Sequence, residues 1–285
     1  MRRRPAMALL ALAGLFPFLL LMAIILRPDP VTLRWKFKKG QVLRVQFTTA
    51  DSSSIFGPGG VSEDIYTWAV TDVDPMGVAA LVCTHEATSI RSMTIDYDSR
   101  RGSEVPTELK EYVPLITPPF TVSVSPQGYV LAIKGEKPSA EISRIVSDCL
   151  DMHLPQHGRL ESEGSILWHS TFPEQGVRPG DFWSLRFIEV PSYPIETKTT
   201  QTYTHERVVD GNAHIVLLQK QYHFTSANEK DRKYVEGTPH LPREWKSRSV
   251  FSIDQGLLVS QQYESTFGTI STRREFRLLE AKSGP

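Results

Sequence analysis

Apolar and polar residues alternate with a period of two along most of this chain, the pattern of strands with one buried face. Gln41 to Ala50 is rich in β-branched and aromatic residues, and Ile65 to Val73 carries Tyr66, Trp68 and Val70 at every second position. Val78 to Ile95 continues as a further long extended segment. Between these runs, Asp51 to Gly60 reads as a flexible turn. Asp74-Pro75-Met76-Gly77 reads as a tight one, because proline presets φ and glycine accepts a positive φ. Long strands joined by tight turns pair antiparallel, so the pattern predicts a mainly β protein.

Two segments break the period. Between Pro138 and His153, Ile142, Ile145, Val146, Cys149 and Leu150 recur at three- and four-residue spacing and form one apolar stripe. This predicts a single amphipathic helix that starts at Pro138 or Ser139 and stops before Pro155. The second break is Ala6 to Leu26, which holds no charged residue and would span about 31 Å as a helix, enough for a hydrocarbon core. Arg2, Arg3 and Arg4 precede it, so the positive-inside rule keeps the N-terminus cytoplasmic and sends the rest across. Ala11-Leu12-Ala13 has the small-x-small form of a cleavage site but lies too early, and nothing similar follows Leu26. The segment reads as a signal-anchor retained in the mature chain.

The chain also resembles itself. Lys39–Phe47 parallels Pro179–Phe187. Tyr66 with the Gly77 turn and Ala79–Val82 parallels Tyr203 with the Gly211 turn and Ala213–Val216. Ser125–Leu131 parallels Ile253–Val259, and the three matches keep one order in both halves. The expected organisation is therefore residues 1–30 as cytoplasmic tip and transmembrane helix, and 31–134 as a first β module. A helical connector at 135–171 and a second module at 172–285 follow. The modules are expected to form a curved antiparallel sheet or half-barrel with the helix between them.

These residues carry a family likeness. Trp35-Lys36-Phe37-Lys38-Lys39-Gly40, Val122–Val130, and Phe172-Pro173-Glu174 leading to Val177-Arg178-Pro179-Gly180-Asp181-Phe182-Trp183 resemble a family of bacterial exported proteins known as a domain of unknown function. The resemblance implies a mostly-β protein behind a signal peptide or lipid anchor, and it brings no catalytic residues. The chain departs from it in having no lipid-attachment cysteine after its apolar segment. In outline, a curved sheet with a helix against it is similar to periplasmic lipoprotein carriers, which is analogy of fold alone.

Charge narrows the partners. The formal net charge is zero, with 32 basic and 32 acidic residues; removing Arg2, Arg3, Arg4 and Arg27 leaves 28 basic against 32 acidic, about −4. No basic surplus exists to neutralise phosphates, so a nucleic-acid partner is not expected.

Cys83 and Cys149 are the only cysteines. Outside the cytoplasm a disulfide between them is permitted, though two small buried side chains is the simpler reading. No nucleophile elbow, phosphate-binding loop, HExxH or dinucleotide fingerprint is present, and no cofactor or metal is expected. His153 and His157 have helical ligand spacing, but Pro155 between them breaks that geometry. His85-Glu86 and His205-Glu206 point to opposite faces of a strand, so neither pair converges, and both read as surface or partly buried.

Arg34, Lys36 and Lys38 alternate with Trp35 and Phe37, which puts three cations on one face and two aromatics on the other; the simpler reading docks the aromatics in the core, and the alternative offers the cations to anionic lipid headgroups. Asn228 to Glu244 reads as a long exposed loop suited to recognition. The expected function is a membrane-anchored, extracytoplasmic binding or interaction protein of the cell envelope, holding a hydrophobic small molecule or docking on an envelope protein. The alternative is a hydrolase with an unrecognised carboxylate or His/Asp site.

Overall fold

The computed structural model describes residues 28–51, 59–102, 104–107, 109, 119–135, 159–160, 166–167, 171–192, 195–226, 243–267 and 270–283. Fourteen strands join one antiparallel sheet. The first six are β1 (Val42–Asp51), β2 (Gly60–Val73), β3 (Ala79–Arg91), β4 (Asp96–Asp98), β5 (Phe120–Val124) and β6 (Tyr129–Gly135). Two short strands follow, β7 (Arg159–Leu160) and β8 (Ile166–Leu167). The rest are β9 (Phe182–Ser192), β10 (Ile195–Val209), β11 (Asn212–Ser226), β12 (Arg243–Ser252), β13 (Leu257–Phe267) and β14 (Ile270–Lys282). The order across the sheet is β7-β9-β10-β11-β12-β13-β14-β1-β2-β3-β5-β6-β8, with β4 added to β3. The mainly β, antiparallel reading holds, in one continuous sheet.

Chain geometry shows that this sheet curls. Laid flat at about 4.8 Å per strand, the twelve steps from β7 to β8 would span about 58 Å. Yet Leu160 and Ile166 are six residues apart, a reach of about 20 Å at most. The two edges are therefore brought within about 20 Å of each other, and the open sheet curls into a barrel-like body.

The barrel is plugged at one end. In β1 to β3 the inward positions Leu43, Val45, Phe47, Tyr66, Trp68, Val70, Ala79, Leu81 and Cys83 are buried. They share one core with residues of β5, β6 and β10 to β14. Two lead-in segments fill the space between the walls: Leu33, Trp35 and Phe37 from one, Phe172 and Val177 from the other. Val31 and Val177 join the segments through two backbone hydrogen bonds of 2.9 Å. Trp35 stacks on Phe37 (5.5 Å) and meets Phe251 edge-on (5.5 Å), while Phe172 meets Phe251 at 4.6 Å. Residues 32–38 form no strand, but their alternation is as expected, with the aromatics inside.

One expectation needs correction. His85 and His205 are fully inside the wall, whereas Glu86 and Glu206 are exposed. The period-two alternation was sound, but the inner face is covered almost to the strand ends. The cations at 34 and 36 are engaged by the protein itself. Arg34 donates to the carbonyls of Leu33, Pro173 and Glu174, and Lys36 Nζ donates to that of Ile253 (2.8 Å), while Lys38 stays exposed.

Among the described residues helical structure is confined to 3-10 turns, at Ser99–Arg101 and at Thr107 and Leu109, and no helix is long and apolar enough to cross a membrane. The expected transmembrane segment with Arg2, Arg3 and Arg4, the Pro138–His153 helix with Cys149, and most of the loop from Asn228 lie outside the described residues. Arg243 and Glu244, placed in that loop from the sequence, begin β12. The Cys83 thiol is buried on β3, and burial pushes its pKa up. Of the connector's described residues, Gly135 ends β6, Thr171 is buried, and the other four form the edge strands β7 and β8.

Candidate functional site

Where the strands end gives the barrel two unlike rims. Residues 74–78, 125–128, 210–211 and 253–256 turn at one end, and the lead-in segments cross beneath them: Trp35 N–H donates to the carbonyl of Pro126 and Lys36 N–H to that of Gly256. The long connections, 52–59, 92–119, 136–158 and 227–242, all leave from the opposite end. We refer to these as the closed and open ends. Long connections on a rigid scaffold are where binding residues concentrate.

The inner face changes character between the two. Near the closed end it is aromatic and aliphatic. Toward the open end, register aligns Leu217, Ser247, Tyr263, Arg274, Thr49 and Ser62 across β11, β12, β13, β14, β1 and β2. Beside this row, Ser249 lies opposite Gln261, and Gln261 Nε2 donates to Ser247 Oγ at 3.2 Å. Ser247, Ser249, Gln201 and Tyr263 are buried. A wall of hydroxyl, amide and guanidinium groups suits polar contacts and is a poor lining for an acyl chain.

At the wall nearest β9, the lead-in segment is tied down by a buried polar chain. Trp183 stacks on Tyr203 (5.3 Å, 3° between planes) and its Nε1 donates to the Thr171 carbonyl at 2.8 Å. Tyr203 Oη donates to Gln201 Oε1 at 2.9 Å, and burial pushes the Tyr203 pKa up to about 12, so it stays a neutral donor.

Two buried histidines flank the core. His85 Nε2 lies 3.0 Å from the Ala87 carbonyl and 3.2 Å from Asp64 Oδ1, and its ring stacks on Tyr66 at 4.4 Å. Both neighbours of Nε2 are acceptors, so that nitrogen carries the proton. This His–Asp pair is the kind of geometry a hydrolase would use, but its ring is 2% exposed, which leaves a substrate no approach.

His205 is completely buried, and neither ring nitrogen makes a hydrogen bond of acceptable geometry. Burial lowers its pKa from the usual 6.5, against the smaller opposing effect of the Arg207 and Arg178 backbone. As pH falls through 6.5 the unfolded chain takes up this proton before the folded one does, so stability drops. Replacing His205 by methionine should therefore narrow the stability gap between pH 7.5 and 5.5. Denaturant unfolding of both proteins at the two pH values checks this, and an unchanged gap would show that His205 titrates alike in both states.

Among the described residues no three His, Cys, Asp or Glu side chains gather into a metal-holding group. His153 and His157 lie outside them.

No protein-family model matches the sequence, and no curated protein matches it. Among solved structures, a lipovitellin structure described for its lipid–protein interactions aligns with 87% of this chain and 26% of its own, at 10% identity and TM-score 0.45. The chain thus spans about a quarter of lipovitellin. A protein from Bacteroides fragilis assigned as exported, with a YmcC-like fold, aligns over 88% of this chain and all of its own, at 9% identity and TM-score 0.36. A protein from Parabacteroides distasonis assigned as a lipoprotein aligns over 90% and all of its own, at 9% identity and TM-score 0.37. Likeness at this level assigns neither family nor function, and the resemblance to the exported family rests on the sequence motifs alone.

Proposed function

We propose that the chain is a membrane-tethered, extracytoplasmic and non-enzymatic binding protein of the cell envelope that docks on a partner protein through its open end. The observation that carries this reading is the segregation of long connections to one rim of a plugged barrel. The plug supports partner docking over the hydrophobic-ligand version expected from sequence. A hydrophobic ligand between sheet and helix needs an apolar hollow, and the apolar part of the described interior is occupied by Leu33, Trp35, Phe37, Phe172 and Val177. The export reading rests on Arg2 to Arg4 and the apolar run to Leu26. The hydrolase alternative draws on the His85–Asp64 pair, whose burial weighs against it.

The reading includes an internal duplication, β1-β2-β3-β5-β6 corresponding to β9-β10-β11-β12-β13. Backbone bonding supports it. Gly40 N–H donates to the Val70 carbonyl and Val70 N–H to that of Gln41, and Gly180, His205 and Asp181 repeat the arrangement. The matched glycines 40 and 180, 77 and 211, and 128 and 256 all have positive φ.

Full-length chain released from membranes in mild detergent should show a native mass equal to its denatured mass, or to a stoichiometric complex with another protein. Such a complex should be lost when residues 227–242 are replaced by a short Gly-Ser linker. A small-molecule excess that disappears on denaturation would overturn partner docking in favour of ligand carriage.

A further inference from the structure

We infer that the closed end lies against the bilayer at the lipid interface, so that the open end points away from it. This rests on the tether reading above and adds an orientation to it. Only Arg27 stands between Leu26, the last residue of the apolar run, and Pro28, where the described fold begins. The Pro28 carbonyl accepts from Arg178 Nε at 3.1 Å, and three residues later Val31 is bridged to Val177. Two residue spacings allow about 7 Å between the end of the apolar run and the fixed base of the barrel. A spacing this short offers little chain with which to turn the barrel over, so the rim that carries the lead-in segments meets the membrane.

That rim presents side chains suited to the position. Met76, at the tip of the β2–β3 turn, is 81% exposed, and Phe182, at the start of β9, is 72% exposed. Val208 and Val209 stand exposed at the closed end of β10. Singly such exposure is ordinary, as Met93 at the open end shows, but four apolar side chains on the rim nearest the tether are favourable at the headgroup boundary.

The charges around them are mixed. Lys38, Lys39 and Arg207 are accompanied by Asp72, Asp74, Glu206 and Asp210, and Lys39 is paired with Asp72 at 3.0 Å. The contact is therefore apolar and nearly indifferent to anionic lipid, unlike the headgroup attraction expected from residues 34 to 38. Strands of 10 to 15 residues, tilted as in a barrel, then place the open end roughly 25–40 Å from the surface.

The test uses the full chain in vesicles of phosphatidylcholine, with or without phosphatidylglycerol. Met76, Phe182 and Met93 are replaced one at a time by the photoreactive benzoylphenylalanine; Met93 is 84% exposed in the connection beyond β3, at the open end. Lipid adducts, identified by mass, should form about tenfold more at 76 and 182 than at 93, as depth in the interface dictates, and phosphatidylglycerol should not change this. A chain that resists alkaline carbonate extraction yet gives equal adducts at all three positions overturns the orientation and leaves the tether standing. A chain that carbonate releases overturns the tether and the orientation together.

Discussion

Replacing Trp35 by alanine should lower the free energy of unfolding by about 3–5 kcal/mol, the range for truncating a buried aromatic residue. Trp35 is 3% exposed and sits where the two lead-in segments and β12 meet, against Phe37, Phe172 and Phe251. Its backbone bond to Pro126 survives the change, so the loss reports the side chain's contacts. The hole cannot collapse easily, because its walls belong to a closed-up sheet whose strands are fixed by their neighbours. Lys38→Ala on the same segment, with an exposed side chain, should stay within about 0.5 kcal/mol of the parent. Denaturant unfolding of the two variants side by side decides the matter. A Trp35→Ala protein as stable as Lys38→Ala would mean that the plug lies outside the cooperative core.

A second large effect is expected at Gly256. Its φ of +64° alone would cost a side-chain-bearing residue about 1–2 kcal/mol. A Cβ there would also fall 2.4 Å from Lys36 Cβ and Cγ and 2.7 Å from the Arg34 carbonyl oxygen. The neighbouring backbone cannot step aside without breaking the bond from Lys36 N–H to the Gly256 carbonyl (3.0 Å). Gly256→Ala should therefore destabilise by about 3 kcal/mol or more, conformational cost and overpacking together. Gly180 separates the two contributions, because its φ is +91° and nothing lies within 4 Å of its would-be Cβ. Gly180→Ala should show the conformational cost alone, and thermal or denaturant unfolding of the pair gives the difference. Equal losses would mean that the contact between the β12–β13 turn and the lead-in segment is loose.

Much of the architecture was legible because it is local. The alternation of Tyr66, Trp68 and Val70, the turn at Asp74–Gly77 and the glycine turn before β1 are each specified by neighbouring residues. Burial of Trp35 and Phe37 was equally plain from period two, although the segment pairs with no sheet strand over most of its length. What lay beyond reach was everything set by closure. Thr49, Ser62, Ser247, Ser249, Gln261 and Arg274 are unremarkable polar residues on amphipathic strands, and only register turns them inward together. His205 shows the same limit: its inward face was readable, but how deeply the opposite wall covers it was not.

The pairing of β1 with β14 bears on how the molecule comes into being. Val42 is matched to Lys282, 240 residues further along, and this ladder sits in the middle of the sheet. A ribosome delivers β1 early and β14 among the last residues, so the first strand spends nearly the whole of synthesis with one side unsatisfied. Contacts so distant in sequence make for slow folding, and an open strand edge invites pairing with other chains. Nascent chains that stop short of Ile270 would leave β1 and β13 each without one of their two neighbours. Such fragments are natural substrates for chaperones and quality-control proteases, and the complete chain escapes them only when its final strand slots in.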